Sequence, residues 1–159
     1  MSINSHSKIS QLIVDLQFAS PAIETAIKKI ASTALMKKWV KNTTSKSGLL
    51  TLRFVNAAEG KKLNSAFRQK NYATNVLTFP YESSKNTFVA DIILCLPVIQ
   101  KEAKEQNKTL KAHLAHLIVH GCLHAQGYDH ELEKDAKKME SLERVILKQL
   151  GFPNPYLVV

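Results

Sequence analysis

Hydrophobic and polar positions repeat with a strand period and then a helix period at the start of the chain. Apolar residues occupy alternate positions up to Phe18, which predicts a strand over residues 9–18 with one buried face. Ser20 followed by Pro21 is a helix start signal, and apolar positions at helical spacing continue from there to Leu35. We therefore expect a first strand followed by a single helix.

The same two periods predict the remaining elements. Three further strands are expected over residues 49–55, 76–79 and 90–96, and helices over residues 57–68, 97–106, from 110 onward and after 131. The polar stretch 81–87 is expected to be a mobile loop. Because strands come early and helices late, the pattern favours an α+β fold in which a small mixed β-sheet packs against helices.

Composition indicates one compact domain over residues 1–159, since 45% of the residues are hydrophobic. The two cysteines, Cys95 and Cys122, lie in apolar runs and are expected to be reduced thiols. The polar N-terminus has no apolar core of signal-peptide length, and no segment reaches the about 18 apolar residues of a membrane span. We expect a cytoplasmic protein without a membrane partner.

The positive charge is concentrated in one half of the chain. The formal net charge is +9; the first eighty residues carry 12 basic and 3 acidic side chains, whereas the rest carry 10 of each. Such an excess is typical of a phosphate-binding surface, and RNA is the leading candidate partner. Exposed lysines that only maintain solubility are the alternative interpretation.

Three histidines in the second half have the spacing of a metal site. His120 and His124 are four residues apart, so on a helix both side chains project from one face. Gly127 can leave the helix in a left-handed conformation, and the reversal can return His130 as a third nitrogen donor. Three protein nitrogens leave the fourth position of Zn²⁺ open, which is typical of catalytic zinc. The pattern predicts a metallohydrolase with its ion at the end of a core helix.

Two residues inside this motif narrow the chemistry. The spacing matches the long zinc-protease motif, in which a Glu after the first His is the general base. Gly121 holds that position and cannot accept a proton, so peptide hydrolysis by that route lacks its base. Polarisation of a phosphodiester depends less on such a carboxylate. Cys122 lies about 200° around the helix from His120 and is expected to face the core.

Several stretches resemble the YbeY family of bacterial metal-dependent endoribonucleases. Residues 120–130 are similar to the family's histidine signature. Residues 63–70 and 73–80 are similar to its Asn-x-x-Tyr-Arg stretch and to the Thr-Asp-Val-Leu-Ser-Phe-Pro that follows, and residues 90–95 to its Gly-Asp-Ile strand. The likeness runs in the family's order from about residue 49 to the final helix.

Two departures from that pattern are Asn75, where the family usually has Asp, and Ala90, where it usually has Gly. Neither residue is one of the three predicted ligands, so the departures do not affect metal binding. An amide at position 75 carries no charge and cannot serve as a base near neutral pH. Any mechanism that needs a carboxylate at that position is therefore in doubt for this chain.

The resemblance implies a single-strand-specific, metal-dependent endoribonuclease. It implies action in late-stage 70S ribosome quality control and in maturation of the 3′ end of 16S ribosomal RNA, with ribosomal RNA and the small subunit as partners. One Zn²⁺ or another divalent ion per chain is the expected cofactor, with no other small molecule. Arg68 matches the family's arginine and is expected to bind the phosphate and to neutralise its developing charge. Lys70 is a weaker candidate for a contact to the RNA backbone.

Two other functions stay open at this point: a zinc-dependent protease-like hydrolase, and a non-catalytic ribosome-binding assembly factor. The general base is also open, since a carboxylate distant in sequence can assist the metal. His116 is either a participant in proton transfer or a partly buried helix residue. Asp129 is either a hydrogen-bond acceptor for an imidazole or a cap for the last helix. Asp91 is expected to accept hydrogen bonds near the site or to orient a loop.

Overall fold

The computed structural model describes residues 11–70 and 72–157, in which a mixed sheet packs against helices and confirms the predicted fold class. The elements along the chain are β1 (Leu12–Phe18), α1 (Pro21–Ile30), α2 (Thr33–Lys41), β2 (Ser47–Val55), α3 (Ala57–Arg68), β3 (Val76–Ser83), β4 (Thr87–Cys95), α4 (Leu96–Glu105), α5 (Leu110–Ala125) and α6 (Glu133–Gln149). Residues 9 and 10 of the predicted first strand lie outside the described residues. None of the helices described is long and apolar enough to cross a membrane.

The sheet has the strand order β1-β2-β4-β3. β1, β2 and β4 pair in parallel, and β3 pairs with β4 in antiparallel fashion. β3 is therefore an edge strand, and its outer backbone groups are not covered by another strand of this sheet. β3 begins beside the histidines of α5, because Val76 and His120 line the same cavity.

The main core lies between one face of the sheet and the helices α1, α2 and α5. Alternate residues of β4, from Phe88 to Leu94, face this core, as their burial shows. α5 is buried on most of its surface, and Thr109 caps its N-terminus by accepting a hydrogen bond from the backbone N–H of Ala112. A helix embedded in this way is a rigid support for a binding site.

The opposite face of the sheet is only partly covered. A small cluster packs beneath α3 and α4: Val55, Leu77, Ile93 and Cys95, with partly buried Leu63, Ala73, Phe79 and Val98 around it. Farther along the same sheet, Ile13 is 64% exposed. This second face therefore carries both structural contacts and accessible apolar side chains.

Two local predictions were wrong. The expected single helix up to Leu35 is two helices, because Ala31 adopts an extended conformation and the Ser32 side chain accepts from the Leu35 N–H to cap α2. The expected loop 81–87 is instead largely hairpin, because β3 extends to Ser83 and β4 begins at Thr87. Pairing with β4 gives the polar residues of β3 a strand conformation that their sequence pattern does not favour.

Candidate metal centre

A row of histidines runs along the last three turns of α5. His113, His116, His120 and His124 follow one another at intervals of three, four and four residues, so they lie on one stripe of the helix. His113 is buried, whereas the others are half-buried. The stripe therefore opens to the surface toward the C-terminal end of the helix.

The turn after α5 brings a further histidine to this end. Gly127 has φ +106°, a left-handed conformation that favours glycine, as the sequence predicted. The Tyr128 N–H donates to the Leu123 carbonyl and closes the turn. The chain then reverses, and the His130 ring lies 5.3 Å from that of His120, centroid to centroid.

The three predicted ligands thus come together. The ring centroids of His120 and His124 are 6.3 Å apart and those of His124 and His130 are 5.7 Å apart. Three imidazoles placed tetrahedrally around Zn²⁺, with Zn–N ~2.0–2.1 Å, have centroids about 5 Å apart. The observed separations of 5.3–6.3 Å exceed this value by up to about 1 Å, so the rings lie near one another but wider than around a shared ion, and their role as ligands stays a prediction.

Hydrogen bonds fix which nitrogen each ring presents. His120 Nδ1 lies 2.7 Å from Glu143 Oε2, and His124 Nδ1 lies 2.9 Å from the Tyr128 carbonyl oxygen. Both oxygens accept, so Nδ1 of each ring donates and carries the proton. In the neutral form of each ring Nε2 then carries no proton and is free to bind a metal, which is the arrangement found around metal-bound imidazoles in general.

Glu143 of α6 is the organising carboxylate behind these rings. Its side chain is fully buried and accepts hydrogen bonds from His116 Nε2 at 2.8 Å, from His120 Nδ1 and from the Tyr156 hydroxyl. Burial alone raises the pKa of Glu143, but the hydrogen bonds from His116, His120 and Tyr156 outweigh it and lower the pKa to about 2. The carboxylate is therefore ionised, and it holds the ring of His120 from behind.

The same three side chains form a second possible ligand set. One ligand-type atom from each of His116, His120 and Glu143 lies within 4.8 Å of the others, so this group could hold a metal ion. At 2.7–2.8 Å, however, the His–Glu contacts have the length of hydrogen bonds. With these hydrogen bonds formed, His116 Nε2 and His120 Nδ1 both contact Glu143, and His120 Nε2 remains on the opposite side of its ring.

Deeper in the row, a second carboxylate continues the polar network. His113 Nε2 lies 2.9 Å from Glu102 Oε1, and the Asn75 amide donates to the same carboxylate at 3.0 Å. Burial lowers the pKa of His113, while Glu102 opposes this effect. The amide of Asn75 can donate to Glu102, which an ionised Asp cannot do, so Asn fits this neighbour.

Gly121 faces the sheet rather than a substrate. A Cβ built at this position would lie 2.9 Å from Ile92 Cγ2 and 3.5 Å from Val76 Cγ2. α5 therefore approaches β3 and β4 so closely that any side chain here displaces a neighbour. Gly121, which stands where zinc proteases carry their catalytic Glu, therefore has a packing role.

The structure separates Arg68 and Lys70 from the histidines. Arg68 ends α3 and donates to the Thr78 carbonyl of β3 at 3.0 Å. The cavity that Arg68 lines shares no residue with the cavity that His120 lines. Lys70 follows α3 and is exposed. Their roles toward a phosphate stay predictions.

Asp129, Cys122 and Asp91 were also singled out in the sequence, and the structure shows their surroundings. Asp129 accepts from the backbone N–H groups of His130 and Glu131, so it shapes the turn and does not hold an imidazole. Cys122 is fully buried, as expected, and burial raises the pKa of its thiol to about 12. Asp91 accepts from the Tyr81 hydroxyl at 2.8 Å.

Sequence reasoning missed Glu143 and Tyr156. α6 reads as an ordinary amphipathic helix with Met139 and Ile146 on its buried side. Glu143 lies four residues after the first and three before the second, so it falls on the same apolar face. A charged residue there is costly without partners, and that was the available signal. Nothing in the pattern singles out Tyr156.

The comparisons with known proteins agree over nearly the whole chain. The family profile described as Endoribonuclease YbeY matches residues 9–151. A protein named Endoribonuclease YbeY from Polynucleobacter asymbioticus is 73% identical over 95% of this chain and 97% of its own length. One of that name from Paraburkholderia phytofirmans is 50% identical over 94% and 99%. A Thermotoga maritima protein solved in solution shares the fold, with TM-score 0.55 and 21% identity over 91% of this chain and 99% of its own. The chain therefore belongs to the YbeY endoribonuclease family.

Proposed function

We propose that this protein is a metal-dependent endoribonuclease that cleaves single-stranded RNA. Membership of the family supports RNA as the substrate. The observation that carries the proposal is the convergence of three imidazole rings at one end of α5, with centroids 5.3–6.3 Å apart. The resemblance further supports maturation of the 3′ end of 16S ribosomal RNA and 70S ribosome quality control as the cellular role, with the small subunit as partner and the cytoplasm as location.

We assign His120, His124 and His130 as the ligands of one divalent ion, Zn²⁺ by preference. Imidazole nitrogen suits Zn²⁺, and Nε2 is the remaining donor atom of His120 and His124 once Nδ1 is hydrogen-bonded. When bound, such an ion supplies a Lewis acid that polarises a phosphodiester and activates water. Glu143 and the Tyr128 carbonyl hold the two rings in the orientation that this chemistry requires.

Arg68, Lys70 and the other basic residues of the first half of the chain are the candidates for phosphate binding. Arg68 uses part of its guanidinium on the Thr78 carbonyl, which fixes the side chain, and its exposed remainder still offers N–H donors. A guanidinium held in this way is suited to gripping a backbone phosphate of the bound RNA, which is the role we propose for Arg68. Lys70 adds an exposed charge nearby, and the basic excess of the first eighty residues attracts the rest of the RNA backbone.

The packing of Gly121 argues against the protease alternative. The position that carries the base in zinc proteases has no space for a side chain, because a Cβ there would already contact Ile92 at 2.9 Å. Glu143 is the carboxylate that contacts His120, and its oxygens already accept three hydrogen bonds. It positions His120 and is not placed to act as a base.

Metal analysis combined with RNA cleavage tests the proposal. The wild-type protein should hold one divalent ion per chain and cut a single-stranded RNA, and a chelator should abolish cleavage. His124→Ala and His130→Ala should lose the ion and the activity while remaining folded. His116→Ala is the matched control on the same helix and should keep the ion.

Each alternative has its own outcome in that experiment. Loss of the ion from His116→Ala, with retention in His124→Ala, would assign the metal to the group of His116, His120 and Glu143. Cleavage of a generic peptide in place of RNA would support the hypothesis of a protease-like hydrolase. Normal RNA cleavage by a folded, metal-free His124→Ala protein would refute the catalytic metal.

A further inference from the structure

Three aromatic rings line a cavity at the edge of the sheet, beside the small apolar cluster beneath α3 and α4. Phe67 of α3 is 64% exposed and Tyr81 of β3 is 67% exposed, and Phe79 lines the same cavity of about 520 Å³. We call Phe67, Phe79 and Tyr81 the aromatic platform. Large rings exposed together in this way are typical of a binding surface rather than of a solvated helix face.

The rings of the platform are held in place. Phe67 packs edge-to-face on Phe79, with centroids 5.3 Å apart and planes at 73°. Tyr81 donates its hydroxyl to Asp91 of the neighbouring strand at 2.8 Å. Little side-chain entropy is then left to lose when a flat ligand stacks on them.

The surroundings of the platform carry positive charge. Arg68 lines the same cavity directly after Phe67, and exposed Lys70 follows two residues later. Asp91 is the acidic side chain of this cavity. Its carboxylate repels a phosphate but can accept hydrogen bonds from the amino group of a base. Cations beside exposed rings, with an acceptor among them, match a nucleobase and its backbone.

β3 connects the platform to the histidines. Val76, at the start of β3, lines the same cavity as His120. Phe79 and Tyr81 lie three and five residues farther on, which is about 10 and 17 Å along a strand. Their side chains face the α3 side of the sheet, but β3 is an edge strand. A nucleic-acid strand of a few nucleotides can therefore pass around this edge between the two places.

We propose that the aromatic platform is a base-stacking subsite for the single-stranded RNA substrate, one to a few nucleotides from the bond that is cut. The proposal rests on the proposed function and adds a substrate contact to it. Stacking accepts every base because each has a π face, so the subsite selects unpaired nucleotides without selecting a sequence. A duplex, whose bases are already stacked and paired, cannot use it.

Binding of fluorescently labelled RNA, measured by anisotropy in the presence of chelator, tests this subsite without cleavage. The probes are a single-stranded oligoribonucleotide, an abasic strand with the same number of phosphates, and a duplex of equal length. The variants are Phe67→Ala and Tyr81→Ala. Ile13→Ala is the matched control, since Ile13 is also 64% exposed but lies on β1 at the opposite edge of the sheet.

Phe67→Ala should bind the single strand about tenfold more weakly, which corresponds to about 1.4 kcal/mol. The dependence of its affinity on salt should be unchanged, because no phosphate contact is lost. Phe67→Trp should restore binding, Tyr81→Ala should show a loss of similar size, and Ile13→Ala should match the wild type. The abasic strand and the duplex should bind weakly and should not respond to Phe67→Ala.

Two results would overturn the subsite while leaving the proposed function intact. One is wild-type cleavage of RNA together with equal affinities for Phe67→Ala and Ile13→Ala. The other is an equal loss of affinity by Phe67→Ala for the base-bearing and the abasic strand. Wild-type protein that neither binds nor cleaves RNA would instead refute the proposed function, and the subsite with it.

Discussion

Replacing Glu143 by Gln removes the buried carboxylate behind the predicted metal site with almost no change in volume. The carboxylate accepts from His116, His120 and Tyr156, whereas an amide keeps one accepting oxygen and presents an NH₂ that only donates. At least one buried donor then loses its acceptor, which costs about 1–3 kcal/mol. His116 cannot adapt cheaply by shifting its proton, because its Nδ1 is buried without a hydrogen-bond partner among the described residues.

Thermal unfolding of the chelator-treated protein measures this cost. With about 2–4 °C per kcal/mol for a chain of this size, Glu143→Gln should unfold about 2–12 °C below the wild type. Glu133→Gln is the control on the same helix; its side chain is 86% exposed, so its unfolding temperature should hardly change. Zinc affinity of Glu143→Gln should fall about 10–100-fold, because His120 is no longer held in its tautomer. Equal unfolding temperatures and equal zinc affinities for the two variants would refute the role assigned to Glu143.

Three further predictions follow from the buried parts of the structure. Gly121→Ala should be about 1 kcal/mol less stable in urea unfolding, since the overpacking against Ile92 exceeds the gain in helix propensity; increased stability would contradict the close approach of α5 to the sheet. Cys95 and Cys122 should resist a thiol reagent at neutral pH in the folded protein and react in urea, because burial raises the pKa of both thiols; rapid labelling of the native chain would contradict this. Burial lowers the pKa of His113 below its ordinary value of 6.5. As the pH falls below about 6.5, the imidazole is therefore protonated in the unfolded chain before it is in the folded protein, and the free energy of unfolding decreases. His113→Gln in chelator should lose less stability than the wild type between about pH 7 and about pH 5, and a loss of equal size would contradict the buried neutral imidazole.

The elements with a strong period could be predicted from the sequence. The helix over residues 57–68 was placed at its true bounds, and α5 begins at Leu110 as expected. The break between α1 and α2 was missed because the apolar spacing continues across it. Ser32 followed by Thr33 was the available signal, since Ser is a strong N-cap and both are weak helix formers.

For the site, the local part could be predicted and the long-range part could not. His120, His124 and His130 lie within one short segment, so helix geometry and one glycine bring them together. Glu143 reaches them only because α6 packs against α5, and periodicity does not specify such packing. The aromatic platform likewise needs α3 and β3 to meet, and the sequence pattern places Phe67 in a helix, Phe79 in a strand and Tyr81 in a loop without bringing them together.

X-ray absorption at the zinc edge of the loaded protein tests the central claim most directly, because it counts the imidazole ligands of the ion. The arrangement of His120, His124 and His130 predicts three imidazole nitrogens at ~2.0–2.1 Å and one additional light ligand. A shell with two imidazoles and a carboxylate, or a purified protein that retains no stoichiometric ion, would contradict it.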